Sequence, residues 1–131
     1  MAIEAINEDE TYLVRTLNQA AELVAMTEHP AVGLLADVYH MHRAEGDALL
    51  DTFLRHAHLV RHVHLADGNR RVPGAGGIDL DGFLRTVKRS GYSGGLGLEP
   101  EPVTIEELAS GRRYVRDLWR AIQGGLDEDA P

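Results

Sequence analysis

Four short apolar segments recur along the 131-residue chain, and each carries near its end a side chain able to bind a metal. They are Ala2–Asn7 with Glu4, Val32–Val38 with Asp37, Val60–Leu65 with His64, and Gly95–Pro100 with Glu99. A helix-length amphipathic segment follows each one. Val32-Gly33-Leu34-Leu35-Ala36 is apolar without alternation, as suits a strand covered on both faces in a parallel sheet. Regular strand–helix alternation predicts α/β architecture with a parallel sheet and right-handed crossovers. The expected fold is a parallel (βα)4 unit. Both an open flavodoxin-like sheet and half of a TIM barrel satisfy that pattern. No glycine-rich phosphate loop follows any strand, which counts against a Rossmann fold.

The segments between the strands give the expected helices. Asn7-Glu8-Asp9-Glu10 reads as the acidic first turn of a helix over Tyr12–Met26, with Leu13, Leu17, Ala20, Ala21 and Val24 at helical spacing. A loop around His40-Met41-His42 is expected to lead through Gly46 to a second helix, Asp47–His56. The long segment Ala66–Gly77 reads as a loop, after which Asp79 caps a helix over Leu80–Ser90. Thr104-Ile105-Glu106-Glu107 resembles an N-terminal cap before a last helix that ends near Gln123. Residues 1–123 are thus expected to form the folded unit, and 124–131 an acidic, disordered tail.

Composition narrows the function. The chain is 44% hydrophobic, enough for one compact core, and contains no cysteine, so disulfides and thiolate metal sites are excluded. No run approaches the roughly 18 apolar residues of a membrane span, and the N-terminus has no signal-peptide pattern. A cytoplasmic protein without a membrane partner is the expectation. The net charge of −8 argues against a nucleic-acid partner, which needs a basic footprint.

Strand alternation places Glu4 on a face with Ala2 and Ile6, Asp37 with Gly33 and Leu35, His64 with His62, and Glu99 with Gly95 and Gly97. A carboxylate in an apolar strand is costly unless it is paired or bound to a cation. One such residue alone is more often a cap or a solvated side chain. Three carboxylates and an imidazole at equivalent strand ends point to a metal site. Its oxygen-rich donor set suits Mn²⁺, Mg²⁺ or Co²⁺ and is compatible with Zn²⁺. His62 reads as a core or supporting histidine, and His42, His56 and His58 as surface or helix-end residues.

Glu4-Ala5-Ile6-Asn7, His62-Val63-His64 and Leu98-Glu99-Pro100 resemble the sugar phosphate isomerase/epimerase family of xylose isomerase-like TIM barrels, and further segments extend the likeness. Glu10-Thr11-Tyr12-Leu13 and Asn69-Arg70-Arg71-Val72-Pro73-Gly74-Ala75-Gly76 are similar to ketose 3-epimerases. Asp37-Val38-Tyr39-His40-Met41, with Glu45-Gly46-Asp47, is more similar to hydroxypyruvate isomerase. The resemblance extends from Ile3 to about Gln123. It implies that Glu4, Asp37, His64 and Glu99 bind a divalent ion and that Glu4 and Glu99 form the acid/base pair. It also implies that Glu10, His40 and Arg70 hold substrate oxygens, the substrate being a small sugar or hydroxy-ketone. Proton transfer through an enediolate follows from the same resemblance. Glu8 and Asp9 stand where the epimerases usually carry an arginine and an aromatic residue, and Ala5 where a proline is common, so the pocket wall differs.

A TIM barrel takes about 250 residues and eight strands. The four units here read as the C-terminal half, with edge strands at both ends and an apolar inner face open to water. The expectation is a missing N-terminal half-barrel or self-association. A symmetric pair would direct two metal quartets at one barrel mouth, which favours the first. Two other readings are a catalytically silent assembly module and a relative of the AP endonuclease branch. The second of these needs more histidine ligands and a basic groove.

Overall fold

The computed structural model describes residues 1–126. Strands β1 (Ala2–Glu4), β2 (Gly33–Asp37), β3 (Val60–Leu65) and β4 (Leu96–Leu98) form one parallel sheet in the order β1-β2-β3-β4. Sequential order is that of a barrel segment, whereas a flavodoxin-like sheet would interleave its strands. The helices are α1 (Leu17–Thr27), α2 (Val38–Glu45), α3 (Leu49–His56), α4 (Leu80–Arg89) and α5 (Ile105–Leu126). Short 3₁₀ turns, Gly46–Ala48 and Ala57–Leu59, flank α3.

One face of the sheet supplies the core. Leu34, Ala36, Val63 and Leu65 are fully buried, together with Leu17 and Ala20 of α1, Phe53 of α3, and Phe83, Leu84 and Val87 of α4. Phe53 and Phe83 meet edge to face with ring centres 5.3 Å apart, a geometry worth about 0.5–1.5 kcal/mol beyond their burial. The other face carries the candidate site. The register sets Glu4 opposite Leu35, Leu35 opposite His62, Asp37 opposite His64, and His64 opposite Gly97. This face was expected to be apolar. Besides Ala2, Leu35 and the donors, it presents His62 and glycines instead. A Cβ on Gly97 would lie 3.0 Å from His62 Nε2 and 3.2 Å from His64 Cδ2, so the missing side chain makes room for both imidazoles.

Three local readings change. The acidic run after β1 is a turn, in which the amides of Glu10 and Thr11 both donate to the Asn7 carbonyl. Helix α1 starts later, at Leu17, because Thr16 and Gln19 form a reciprocal capping box. Leu13, expected on its apolar face, is 85% exposed. The segment around His40 is helical rather than a loop. Asp37 accepts from the amides of Tyr39 (2.8 Å) and His40 (3.0 Å) and so starts α2 directly at the end of β2. The other caps follow the sequence: Asp79 Oδ1 accepts from the Gly82 amide, and Thr104 and Glu107 cap α5 reciprocally. Helix α5 runs past Gln123 to Leu126, and the remainder of the expected acidic tail lies outside the described residues.

Candidate metal centre

Glu4, Asp37, His64 and Glu99 converge at the carboxyl ends of the four strands. One potential donor atom from each lies within 4.8 Å of the others. Each is held differently. Asp37 is nearly buried, and its Oδ1 is committed to the α2 amides, which leaves Oδ2 facing His64 Nδ1 at 3.9 Å. Glu99 follows β4, where its amide extends the ladder by donating to the Leu65 carbonyl at 3.0 Å. Its Oε2 lies 3.0 Å from His64 Nδ1, and Glu4 Oε1 lies 4.0 Å from the same nitrogen. The contact with Glu99 is close in distance yet is not aligned as a hydrogen bond. Among the described residues, Glu4 Oε1 and His64 Nδ1 are two of the three buried side-chain atoms without a hydrogen-bond partner.

The electrostatics fit a cation. Burial, followed by the neighbouring charges of Glu99 and Asp37, pushes the Glu4 carboxyl up to about 7. Burial also raises Asp37, against the two amides that stabilise its charged form. Carboxylates this close resist ionising together, and a divalent ion removes that resistance. The residues present therefore suit a bound divalent ion. Two unpartnered buried donors converge with a donor set of three carboxylates and one imidazole, the hard, oxygen-rich chemistry of Mn²⁺, Mg²⁺ or Co²⁺.

A second cluster borders the first. Arg70 Nη1 donates to Glu10 Oε1 at 2.7 Å, and the guanidinium carbon sits 5.0 Å from the centre of the Tyr39 ring. Burial alone would raise Glu10, but its hydrogen bond to Arg70 and that residue's charge hold it below the usual carboxylate range. Arg70 is near enough to the quartet to oppose the rise at Glu4. His40 is buried, and its Nδ1 faces the Asn7 amide at 3.3 Å and Asn7 Nδ2 at 2.7 Å. Asn7 Oδ1 is occupied by the Asp9 amide, so its Nδ2 must be the donor toward His40. Accepting at Nδ1 assigns His40 the neutral tautomer with its proton on Nε2. Burial, which outweighs Asp37 and Glu10, favours that neutral form.

All seven residues picked out from the sequence thus fall into two adjoining clusters. Three supporting residues were not picked out: Asn7, which ties His40 to Glu10; Tyr39, under Arg70; and Asp67, buried in the loop after β3. Asn7, Tyr39 and Asp67 each lie within two residues of a segment carrying the resemblance or inside one, and that proximity was the available signal.

A sequential parallel sheet whose polar side chains gather at the carboxyl strand ends defines a unit of a (βα) barrel. The chain belongs to the xylose isomerase-like TIM barrel family, whose profile matches residues 1–118. It is 30% identical over 121 residues to a ketose 3-epimerase of Arthrobacter globiformis, covering 91% of this chain and 42% of that protein. It is 38% identical over 72 residues to hydroxypyruvate isomerase of Escherichia coli (strain K12), covering 54% of this chain and 28% of that protein. The fold is similar to a structure of L-ribulose 3-epimerase, with TM-score 0.84, 19% identity, and coverage of 99% of this chain and 50% of the other. The chain therefore spans no more than about half the length of these relatives. No described helix is long and apolar enough to cross a membrane.

Proposed function

We propose that this chain is the metal-binding half of an isomerase or epimerase acting on small sugars or hydroxy-ketones. The observation that carries the reading is the convergence of Glu4, Asp37, His64 and Glu99 within 4.8 Å, with two buried donors unpartnered. The ketose 3-epimerase and hydroxypyruvate isomerase likenesses support it.

In this reading all four residues hold a divalent ion, Mn²⁺, Mg²⁺ or Co²⁺ before Zn²⁺. That ion supplies stabilisation for the negative charge left on a carbonyl oxygen when a neighbouring C–H loses its proton. Glu4 and Glu99 move the proton. They come from opposite edges of the sheet, so one can remove it and the other return it on the opposite side of the carbon. Return to the same carbon inverts its configuration; transfer to the adjacent carbon interconverts aldose and ketose through the enediolate. Arg70, Glu10 and the Nε2–H of His40 orient substrate hydroxyls, and the pairing of Arg70 with Glu10 holds the guanidinium in place before a sugar arrives.

The test is exchange of the ketose α-proton with deuterated water, followed by NMR in Mn²⁺-loaded protein. In the full-length form, Glu4→Gln and Glu99→Gln should each abolish it, and retained exchange in both would sink the assignment of the pair. The second reading, a catalytically silent half-barrel, is favoured by the position of Glu4 on one open edge strand and of Glu99 just beyond the other. It predicts a self-associated chain on size exclusion, without bound metal and without exchange.

A further inference from the structure

We propose that Asp67 is a positioning residue that fixes the orientation of Arg70; the consequence for substrate binding rests on the reading of Arg70 given above. The loop between β3 and α4 spans more than ten residues with no helix or strand of its own, a length that needs internal ties to hold one shape. A single carboxylate supplies them. Asp67 Oδ1 accepts from the Gly68 amide at 2.8 Å and the Ile78 amide at 3.0 Å, and Oδ2 accepts from the Gly74 amide at 2.9 Å. The start, middle and end of the loop are thereby drawn to one point.

The residue is only 1% exposed, and a buried charge of this kind persists when hydrogen bonds satisfy it. Burial pushes its carboxyl upward, but the surrounding amides outweigh burial and hold it below the usual range. The site is shaped for this group: a Cβ on Gly76 would stand 2.5 Å from Asp67 Oδ1.

Arg70 depends on that frame. Its amide donates to the Asp67 carbonyl at 2.7 Å, and the Asp67 amide donates to the Arg71 carbonyl at 3.0 Å, closing a tight turn. Arg70 sits at φ +56°, a left-handed conformation that costs a non-glycine residue about 1 kcal/mol or more. Such a conformation persists only where the surroundings enforce it. The Arg70 carbonyl in turn accepts from the Glu101 amide at 2.8 Å, which joins the loop to the segment following Glu99. The guanidinium then reaches Glu10 and Tyr39.

Asp67→Asn tests the proposal with little change in shape. An amide cannot accept at both ends, so either Gly74 or the Gly68–Ile78 pair loses its acceptor. Trypsin cleavage after Arg70 and Arg71 should become on the order of tenfold faster relative to other sites, since cleavage follows local opening. The side-chain NMR signals of Arg70, assigned with Arg70→Lys, should move to those of a free arginine while far-UV circular dichroism stays unchanged. Glu107→Gln removes the exposed ion pair of Arg71, keeps an acceptor for the Thr104 amide, and should leave the Arg70 signals in place. Native cleavage and native Arg70 signals in Asp67→Asn overturn the proposal. So does a loosened loop in which the Arg70 signals do not move. If Asp67→Asn does not fold, hydrogen exchange in the native chain decides. The Gly74 and Ile78 amides should be protected at least about tenfold more than the Ala75 and Gly77 amides, and equal protection overturns the proposal. None of these measurements requires turnover or a bound metal, so the outcome of the ketose-exchange test, which bears on the proposed function, does not touch this result.

Discussion

Strands β2 and β3 carry Asp37 and His64 with a paired strand on either side, whereas Glu4 lies on β1 and Glu99 just after β4, at the two open edges of the sheet. The helix-facing residues follow the same division. Leu34, Ala36, Val63 and Leu65 on the inner strands are fully buried, while Ile3, Leu96 and Leu98 on the outer strands are only partly so. Anchoring differs in part. Asp37 is tied by two amides and Glu99 projects beyond its strand, while Glu4 on an outer strand and His64 on an inner one each have an unpartnered buried atom. The lesson is a division of labour. The two donors with no proposed proton-transfer role stand on the most stable part of the unit. The two proposed to move the proton stand where the structure depends on whatever pairs with the edges.

Core truncation is the largest break of that comparison. Phe53→Ala, in a fully buried site against Phe83, should cost about 3–5 kcal/mol in urea unfolding. Leu96→Ala on β4 should cost only about 1 kcal/mol, because the residue is already partly in water. Equal losses would mean that β4 is as firmly held as the interior and that its edge is covered in solution.

Glu4 gives the next effect, and its sign is fixed by linkage. Its carboxyl lies near 7 in the folded, metal-free chain against an ordinary value of 4.5, so the folded state holds the proton more tightly than the unfolded state. The associated stability is fully present below about pH 4.5 and is lost as pH rises through about 7. With discount for partial exposure, the loss is on the order of 1–3 kcal/mol. Thermal melts of metal-free protein between pH 5 and 8 should show it. Glu4→Gln should remove most of this slope, and saturating Mn²⁺ should suppress it by favouring the ionised form. A slope unaffected by either would separate Glu4 from the cluster.

Asp37 then separates two roles carried by one side chain. Asp37→Asn keeps an acceptor for the Tyr39 and His40 amides, since asparagine caps helices about as well as aspartate. Asp37→Ala removes it. Both should abolish tight Mn²⁺ binding in calorimetric titration, but the alanine variant should be less stable than the asparagine variant by about 1 kcal/mol. The same stability in both would mean that α2 does not depend on this cap.

The strand-end donors were legible because a parallel strand fixes which residues share a face, and Glu4, Asp37, His64 and Glu99 obey that alternation. The late start of α1 was not legible from its apolar spacing. Leu13 and Leu17 are one helical turn apart in sequence, and the spacing cannot reveal that the Thr16–Gln19 capping box starts the helix between them. Helix α2 was missed because the same Asp37 serves as donor and cap, and the sequence pattern of a metal site obscured that of a helix start. Asn7 and Asp67 act through partners distant in sequence, the His40 ring for Asn7 and the Ile78 amide for Asp67, and no local periodicity records such contacts.

Leu13 carries the smallest predicted effect, and it bears on the helix boundary directly. If α1 began near Tyr12, Leu13 would face the core one turn before Leu17, and Leu13→Ser would cost as much as a buried truncation. In the structure the helix begins after Thr16, and Leu13 and Tyr12 are 85% and 94% exposed. Leu13→Ser and Tyr12→Ser should therefore each change the stability of the isolated chain by no more than about 0.5 kcal/mol. Leu17→Ala, in a buried position on the same segment, should cost about 2–5 kcal/mol. A large loss at Leu13 would restore the longer helix and place the turn after Glu4 in the core. A negligible one leaves that turn free at the mouth of the sheet, where Glu10 meets Arg70 across the strand ends.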